Sequence, residues 1–119
     1  MKHILLVDDD ADLVETTKLR FESEGDYVVS VAYNGEEALR VVQRGVPDVI
    51  ILDVMMPKMD GLTTLKAMNQ MLEKKVPVIV VTGKAVMIKS VFELEGARDF
   101  LIKPVDGKRL VERVKEILG

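Results

Sequence analysis

The chain has no cysteine, no tryptophan, a single histidine and only 4% aromatic residues across 119 positions. Without cysteine it forms no disulfide, carries no thiolate nucleophile and builds no cysteine-ligated metal site, and it is compatible with a reducing compartment. The lone His3 reads as an exposed or strand-edge residue rather than a catalytic base. The formal net charge is only −3, and the lysines and arginines are scattered, so no basic patch points to direct contact with nucleic acid. No stretch approaches the ~20 apolar residues of a membrane span. The start, Met1 to Val7, has the look of a signal peptide, but Asp8-Asp9-Asp10 cuts its apolar run short. A cytoplasmic location without membrane insertion is the expectation.

What is present is an ordinary globular balance, 48% hydrophobic and 31% charged. The length suits one domain, residues 1–119, able to bury a core without staples. There is no linker, low-complexity tract or repeat. Apolar runs at Ile4–Val7, Tyr27–Val31, Val49–Leu52 and Val78–Val81, with a shorter one at Phe100–Ile102, are mostly continuous rather than alternating. That pattern marks strands covered on both faces. Helical stripes lie between them: Val14, Thr17 and Phe21; then Ala38, Val41 and Val42 behind an Asn34 cap; then Leu62, Leu65, Met68 and Leu72. A fourth helix is expected over Ala85–Glu95 with Gly96 as its stop, and a fifth behind Asp106 with Leu110, Val111, Val114, Ile117 and Leu118 as its stripe. Strands alternating with helices predict an α/β layered sandwich with a parallel sheet, whose ligands bind beyond the carboxyl ends of the strands.

Polar residues gather at that edge. Asp8 and Asp9 follow the first strand, Asp53 ends the third, Thr82 the fourth and Lys103 the fifth. Three carboxylates brought together repel one another, and a divalent cation relieves this. Hard oxygen ligands without His or Cys favour Mg²⁺ over Zn²⁺. A carboxylate is itself a competent nucleophile towards phosphorus, forming an aspartyl phosphate. Lys103 offers a mobile positive charge and Thr82 a hydroxyl donor for phosphoryl oxygens.

In these features the chain resembles, over nearly its whole length, the receiver domain of two-component response regulators. The segments that carry the resemblance are Ile4-Leu5-Leu6-Val7-Asp8-Asp9-Asp10, Leu52-Asp53-Val54-Met55-Met56-Pro57 with Asp60-Gly61, Val80-Val81-Thr82-Gly83, and Gly96 to Pro104. The resemblance implies a flavodoxin-like (βα)5 three-layer sandwich with five parallel strands in the order 2-1-3-4-5. It implies Asp53 as phosphoacceptor, Asp9 as a direct Mg²⁺ ligand, Asp8 as a ligand through water, and the Met55 carbonyl as a further metal ligand. Thr82 and Lys103 would meet the phosphoryl group, Phe100 would be an aromatic switch coupled to Thr82, and the Lys103-Pro104 bond would be cis. The implied partners are a sensor histidine kinase or phosphotransfer protein upstream and an effector protein downstream. The implied role is a signalling switch in a phosphorelay that catalyses its own phosphorylation and slow dephosphorylation, not a turnover enzyme. With one histidine, the chain takes its phosphoryl group from a partner or a small donor. Because the chain ends just after the last expected helix, no output domain is expected in it.

Plainer readings compete. Asp10 is more simply an N-cap or outer acid than a ligand, and Phe100 serves equally as core packing. Met55, Met56, Met59, Met68, Met71 and Met87 read mostly as gap-fillers in core or loops. A hydrolase with an aspartyl nucleophile usually has a second acid two residues beyond it, where this chain has Met55. A phosphorylation-independent interaction module would have no need of the full acid and lysine set. A flavin-binding relative would want aromatics and a phosphate-cradling loop after the first strand. One departure from the family lies between Thr82 and Lys103, which are 21 positions apart, one fewer than usual. The apolar 84–95 segment there is expected to be short, shifted or covered, or else to present a binding patch. Lys84, two beyond Thr82, is expected to shield the phosphoryl group and slow its loss.

Overall fold

A computed structural model describes residues 1–54, 60–73, 75–83 and 89–119. Five strands form one parallel sheet in the order β2-β1-β3-β4-β5. They are β1 (Lys2–Val7), β2 (Tyr27–Ala32), β3 (Val49–Asp53), β4 (Val78–Thr82) and β5 (Ala97–Ile102). The helices α1 (Ala11–Ser23), α2 (Gly35–Arg44), α3 (Gly61–Met71), α4 (Lys89–Leu94) and α5 (Gly107–Leu118) connect and follow them. This is the flavodoxin-like three-layer arrangement expected.

The continuous apolar runs are explained by two cores, one on each face of the sheet. Ile4, Leu6, Val29, Ile51, Val81 and Leu101 point to the side covered by α1 and α5. Leu5, Val7, Ile50, Leu52, Val80 and the α4 residue Phe92 belong to the other side. Every residue of β3 and β4 is buried. Strand β5 is longer than its apolar triplet indicated. It is an edge strand, partly exposed, and its pairing with β4 slips between Val78 and Ile79, so Arg98 is skipped and the apolar signal is diluted.

The helix starts follow their caps. Asp10 accepts from Leu13 N at 3.1 Å, Asn34 from Glu37 N at 2.9 Å and Asp106 from Lys108 N at 2.9 Å. Asp10 is therefore the N-cap of α1. Phe21 of α1 packs edge-on against Tyr27 of β2, with ring centroids 5.4 Å apart. The last turn of α5 is tied to the end of α1 by Lys115 Nζ and Glu24 Oε1 at 2.9 Å. Gly96, with φ of 91°, follows α4 as its stop. Of the helix expected over Ala85–Glu95, Lys89–Leu94 is helical and 84–88 lie outside the described residues. His3 is half-buried on an inner strand rather than at a sheet edge, and its Nε2 meets Ser30 Oγ of β2 at 2.7 Å.

Candidate functional site

Because all five strands run the same way, the residues that end them share one edge. Asp8 follows β1 and is 6% exposed; Asp53 ends β3 and is 4% exposed. Thr82 ends β4 and is fully buried, and Asp9 faces solvent. Carboxylate oxygens of Asp8, Asp9 and Asp53 all lie within 4.8 Å of one another. Lys103, immediately beyond β5, reaches into this group: its Nζ is 2.9 Å from Asp8 Oδ2 and 3.6 Å from Asp53 Oδ1. Its backbone N donates to the Thr82 carbonyl at 2.7 Å, which ties the β5 exit to the end of β4. The following bond, Lys103-Pro104, is cis.

Local structure holds the acids in place. Asp8 N donates to the Ala32 carbonyl at 3.1 Å, and Asp8 Oδ1 accepts from Asp10 N at 3.0 Å. Asp10, capping α1, thus also orients its neighbour. Burial on its own would lower the Lys103 pKa. The hydrogen bond to Asp8 and the charges of Asp53 and Asp8 outweigh it and hold the ammonium above its ordinary value. A cavity of about 340 Å³ adjoins the cluster, lined by Leu13, Val14, Val105 and Leu110 as well as by Asp8, Asp53 and Lys103. This apolar wall lowers the local dielectric and strengthens every charge interaction at the edge.

The donor set fits a hard divalent cation: three carboxylates, no imidazole and no thiolate. Buried on one side and open at Asp9 on the other, it also leaves room for water in the shell. The structure brings together Asp8, Asp9, Asp53 and Lys103 of the expected set, with Thr82 linked through the Lys103 backbone. Phe100 is half-buried in β5 and packs against Phe92 of α4, centroids 6.3 Å apart. Met55 and Lys84 lie outside the described residues.

Two features escaped the reading of the chain. Asp60 caps α3, accepting from Thr63 N at 2.8 Å, and the first amide of that helix, Gly61 N, donates to the Val54 carbonyl at 3.0 Å. The Asp before Gly61 and the Leu62/Leu65 stripe is a recognisable cap signal. Asp99 of β5 binds Arg113 Nε of α5 at 2.6 Å, a pairing that no periodicity announces.

Fold and acidic edge together define a receiver-type module. The chain matches the response regulator receiver domain family over residues 4–115, and it belongs to that family. It is 44% identical over 119 residues to the transcriptional regulatory protein CpxR of Escherichia coli strain K12, covering 99% of this chain and 50% of that protein. The chain thus spans about half the length of the curated relatives it matches. Among solved structures, a CheY-like receiver domain protein from Methanospirillum hungatei JF-1 aligns with a TM-score of 0.91 at 34% identity, covering 99% of this chain and 94% of that one. TrrA from Thermotoga maritima, solved in complex with Mg(2+)-BeF, aligns with a TM-score of 0.85 at 32% identity, covering 99% and 100%. Among the described residues, no helix is long and apolar enough to cross a membrane.

Proposed function

We propose that residues 1–119 form one receiver unit that accepts a phosphoryl group on Asp53 from a histidine-kinase or phosphotransfer partner. The observation that carries this reading is the buried Asp53 carboxylate, grouped with those of Asp8 and Asp9 and held by the Lys103 ammonium. An Asp53 carboxylate oxygen attacks phosphorus. One P–O bond forms as the P–N bond to the donor imidazole breaks, and the electron pair returns to the imidazole nitrogen. Asp8, Asp9 and Asp53, with the Met55 carbonyl, would hold Mg²⁺, which neutralises charge on the phosphoryl oxygens when bound. The relative solved with Mg(2+)-BeF supports this choice of metal.

Lys103 supplies the second positive charge, exchanging part of its hold on Asp53 for the incoming oxygens. The Thr82 hydroxyl donates to the phosphoryl group, and Lys84 shields it from hydrolysis, giving a slow to moderate self-dephosphorylation. Phe100, which contacts Phe92 of α4, turns with Thr82 and alters the surface around α4 and β5. This is a shift between two populations that the phosphoryl contacts bias. CpxR is a transcriptional regulatory protein; to this chain we extend only the receiver's part, control of a downstream effector, in the cytoplasm.

Incubation with Mg²⁺ and acetyl phosphate followed by intact mass measurement tests the reading. The expected result is one added phosphoryl group, lost in Asp53→Asn and on chelation of Mg²⁺. No adduct, together with no Mg²⁺ binding, would overturn it in favour of a module acting through its surface alone.

A further inference from the structure

Three helices open on the same kind of pair, an N-cap followed by a glycine in the first helical position: Asn34-Gly35 at α2, Asp60-Gly61 at α3 and Asp106-Gly107 at α5. The capping side chain accounts for the first residue of each pair. It does not account for the second, since glycine is a poor helix former and the first helical position accepts most residues. Surroundings account for it at position 61. There a Cβ would lie 2.7 Å from Val54 Cα, 2.9 Å from the Asp53 carbonyl oxygen and 3.2 Å from the Val54 carbonyl oxygen. All three are backbone atoms, so no side-chain rotation relieves the clash. At Gly107 the nearest atom is Arg20 Cγ at 3.5 Å, an ordinary contact. Gly61 is not among the positive-φ glycines, so the demand is for space rather than conformation.

The contact is also bonded. Gly61 N donates to the Val54 carbonyl at 3.0 Å. Just before it, the Asp60 carbonyl accepts from Thr64 N at 3.0 Å and from the fully buried Thr64 Oγ1 at 2.8 Å. The first turn of α3 is therefore clamped and seated on the peptide that joins Asp53 to Val54. Strands β1 and β4 fix β3 from its two sides, through Leu52 and Asp53 respectively. The start of α3 supplies a further constraint, where the chain leaves the strand.

We propose that Gly61 is a positioning residue for the chemistry of Asp53: by having no side chain, it lets α3 rest on the Asp53–Val54 peptide and fix the direction in which the carboxylate faces Asp8 and Asp9. The inference rests on the reading of Asp53 as phosphoacceptor. An alanine at 61 must push either the helix or the peptide aside. Displacing the peptide moves a metal ligand and the nucleophile together.

The test compares wild type, Gly61→Ala, Gly107→Ala and Asp60→Ala, each checked for folding by circular dichroism at the assay temperature. Mg²⁺ half-saturation is read by titration calorimetry without donor, and the labelling rate by intact mass with acetyl phosphate at saturating Mg²⁺. Gly61→Ala is expected to lose about tenfold or more in both readouts. Gly107→Ala keeps both within about twofold, and so does Asp60→Ala although its lost cap lowers the melting temperature. A folded Gly61→Ala with wild-type values overturns the proposal, and so does an Asp60→Ala loss as large as that of Gly61→Ala. Failure of Gly61→Ala alone to fold assigns the glycine to folding instead, and overturns it too. Wild type that takes no label is a failure of the Asp53 reading, a result separate from all of these.

Discussion

Lys103 stands between two buried carboxylates, at 2.9 Å from Asp8 and 3.6 Å from Asp53. On the proposed function it would compete with a metal for the same acids, and would serve the phosphoryl group once the metal had taken them. Lys103→Met separates these roles. Without the ammonium the acids lose a compensating charge, so in chelator the variant should be less stable by about 1–3 kcal/mol, with added Mg²⁺ restoring most of it. Its Mg²⁺ half-saturation should fall below that of wild type, because one competing positive charge is gone, while labelling of Asp53 slows. Urea unfolding with and without Mg²⁺ checks the first part and calorimetry the second. A variant that binds Mg²⁺ more weakly than wild type would contradict this account of Lys103.

Among the described residues, α4 has the fewest buried side chains of the five helices. Phe92 is its one buried residue within Lys89–Leu94, and that ring touches Phe100. Phe92→Ala should cost about 3–5 kcal/mol in urea unfolding. It should also strip exchange protection from α4 amides beyond the global change, while α1, held by Val14 and Phe21, follows the global change alone. Equal loss in both helices would mean that α4 is no looser than the rest. Helices α1 and α5 are joined at their ends by Glu24 and Lys115, and the hydrogen bond from Lys115, then its charge, lowers the Glu24 pKa from its ordinary 4.5. A carboxylate lowered on folding contributes stability above its unfolded value, and that contribution disappears as pH falls through the folded value. The gap in urea midpoint between wild type and Glu24→Gln should accordingly be present at neutral pH and close below 4.5. A gap unchanged by acid would assign it to something other than this pair. Strands β1, β3 and β4 were legible because both faces of their apolar runs are covered and those runs are unbroken; β2, an edge strand with Val28 exposed and Ser30 within its run, was legible from its remaining apolar residues. Strand β5 was half legible, because an edge strand with a slipped register at Arg98 mixes polar residues into its run.

At the scale of the whole molecule, a ligand that binds only the folded form stabilises all of it. Mg²⁺ at 100 times its half-saturating concentration should add about 2.7 kcal/mol to unfolding. Asp53→Asn, which lacks one of the three carboxylates, should gain less at the same concentration. Differential scanning calorimetry across a Mg²⁺ series reads both, and a melting temperature indifferent to Mg²⁺ would sink the metal site. The acidic edge was legible from sequence because parallel topology sends the end of every strand to one side, so that Asp8, Asp53, Thr82 and Lys103 needed only their strand boundaries to be right. The seat of Gly61 against Asp53 and the Asp99–Arg113 pair were not, since both depend on approach distances between elements that no periodicity encodes. The same topology puts His3 at the opposite rim, its imidazole against Ser30. Since this is the chain's sole histidine, its two carbon-bound ring protons each give a single resonance, a built-in reference at the rim away from the acidic edge. During a Mg²⁺ or phosphorylation titration those resonances should stand still if the response is local, and their movement would report that the sheet as a whole had been disturbed.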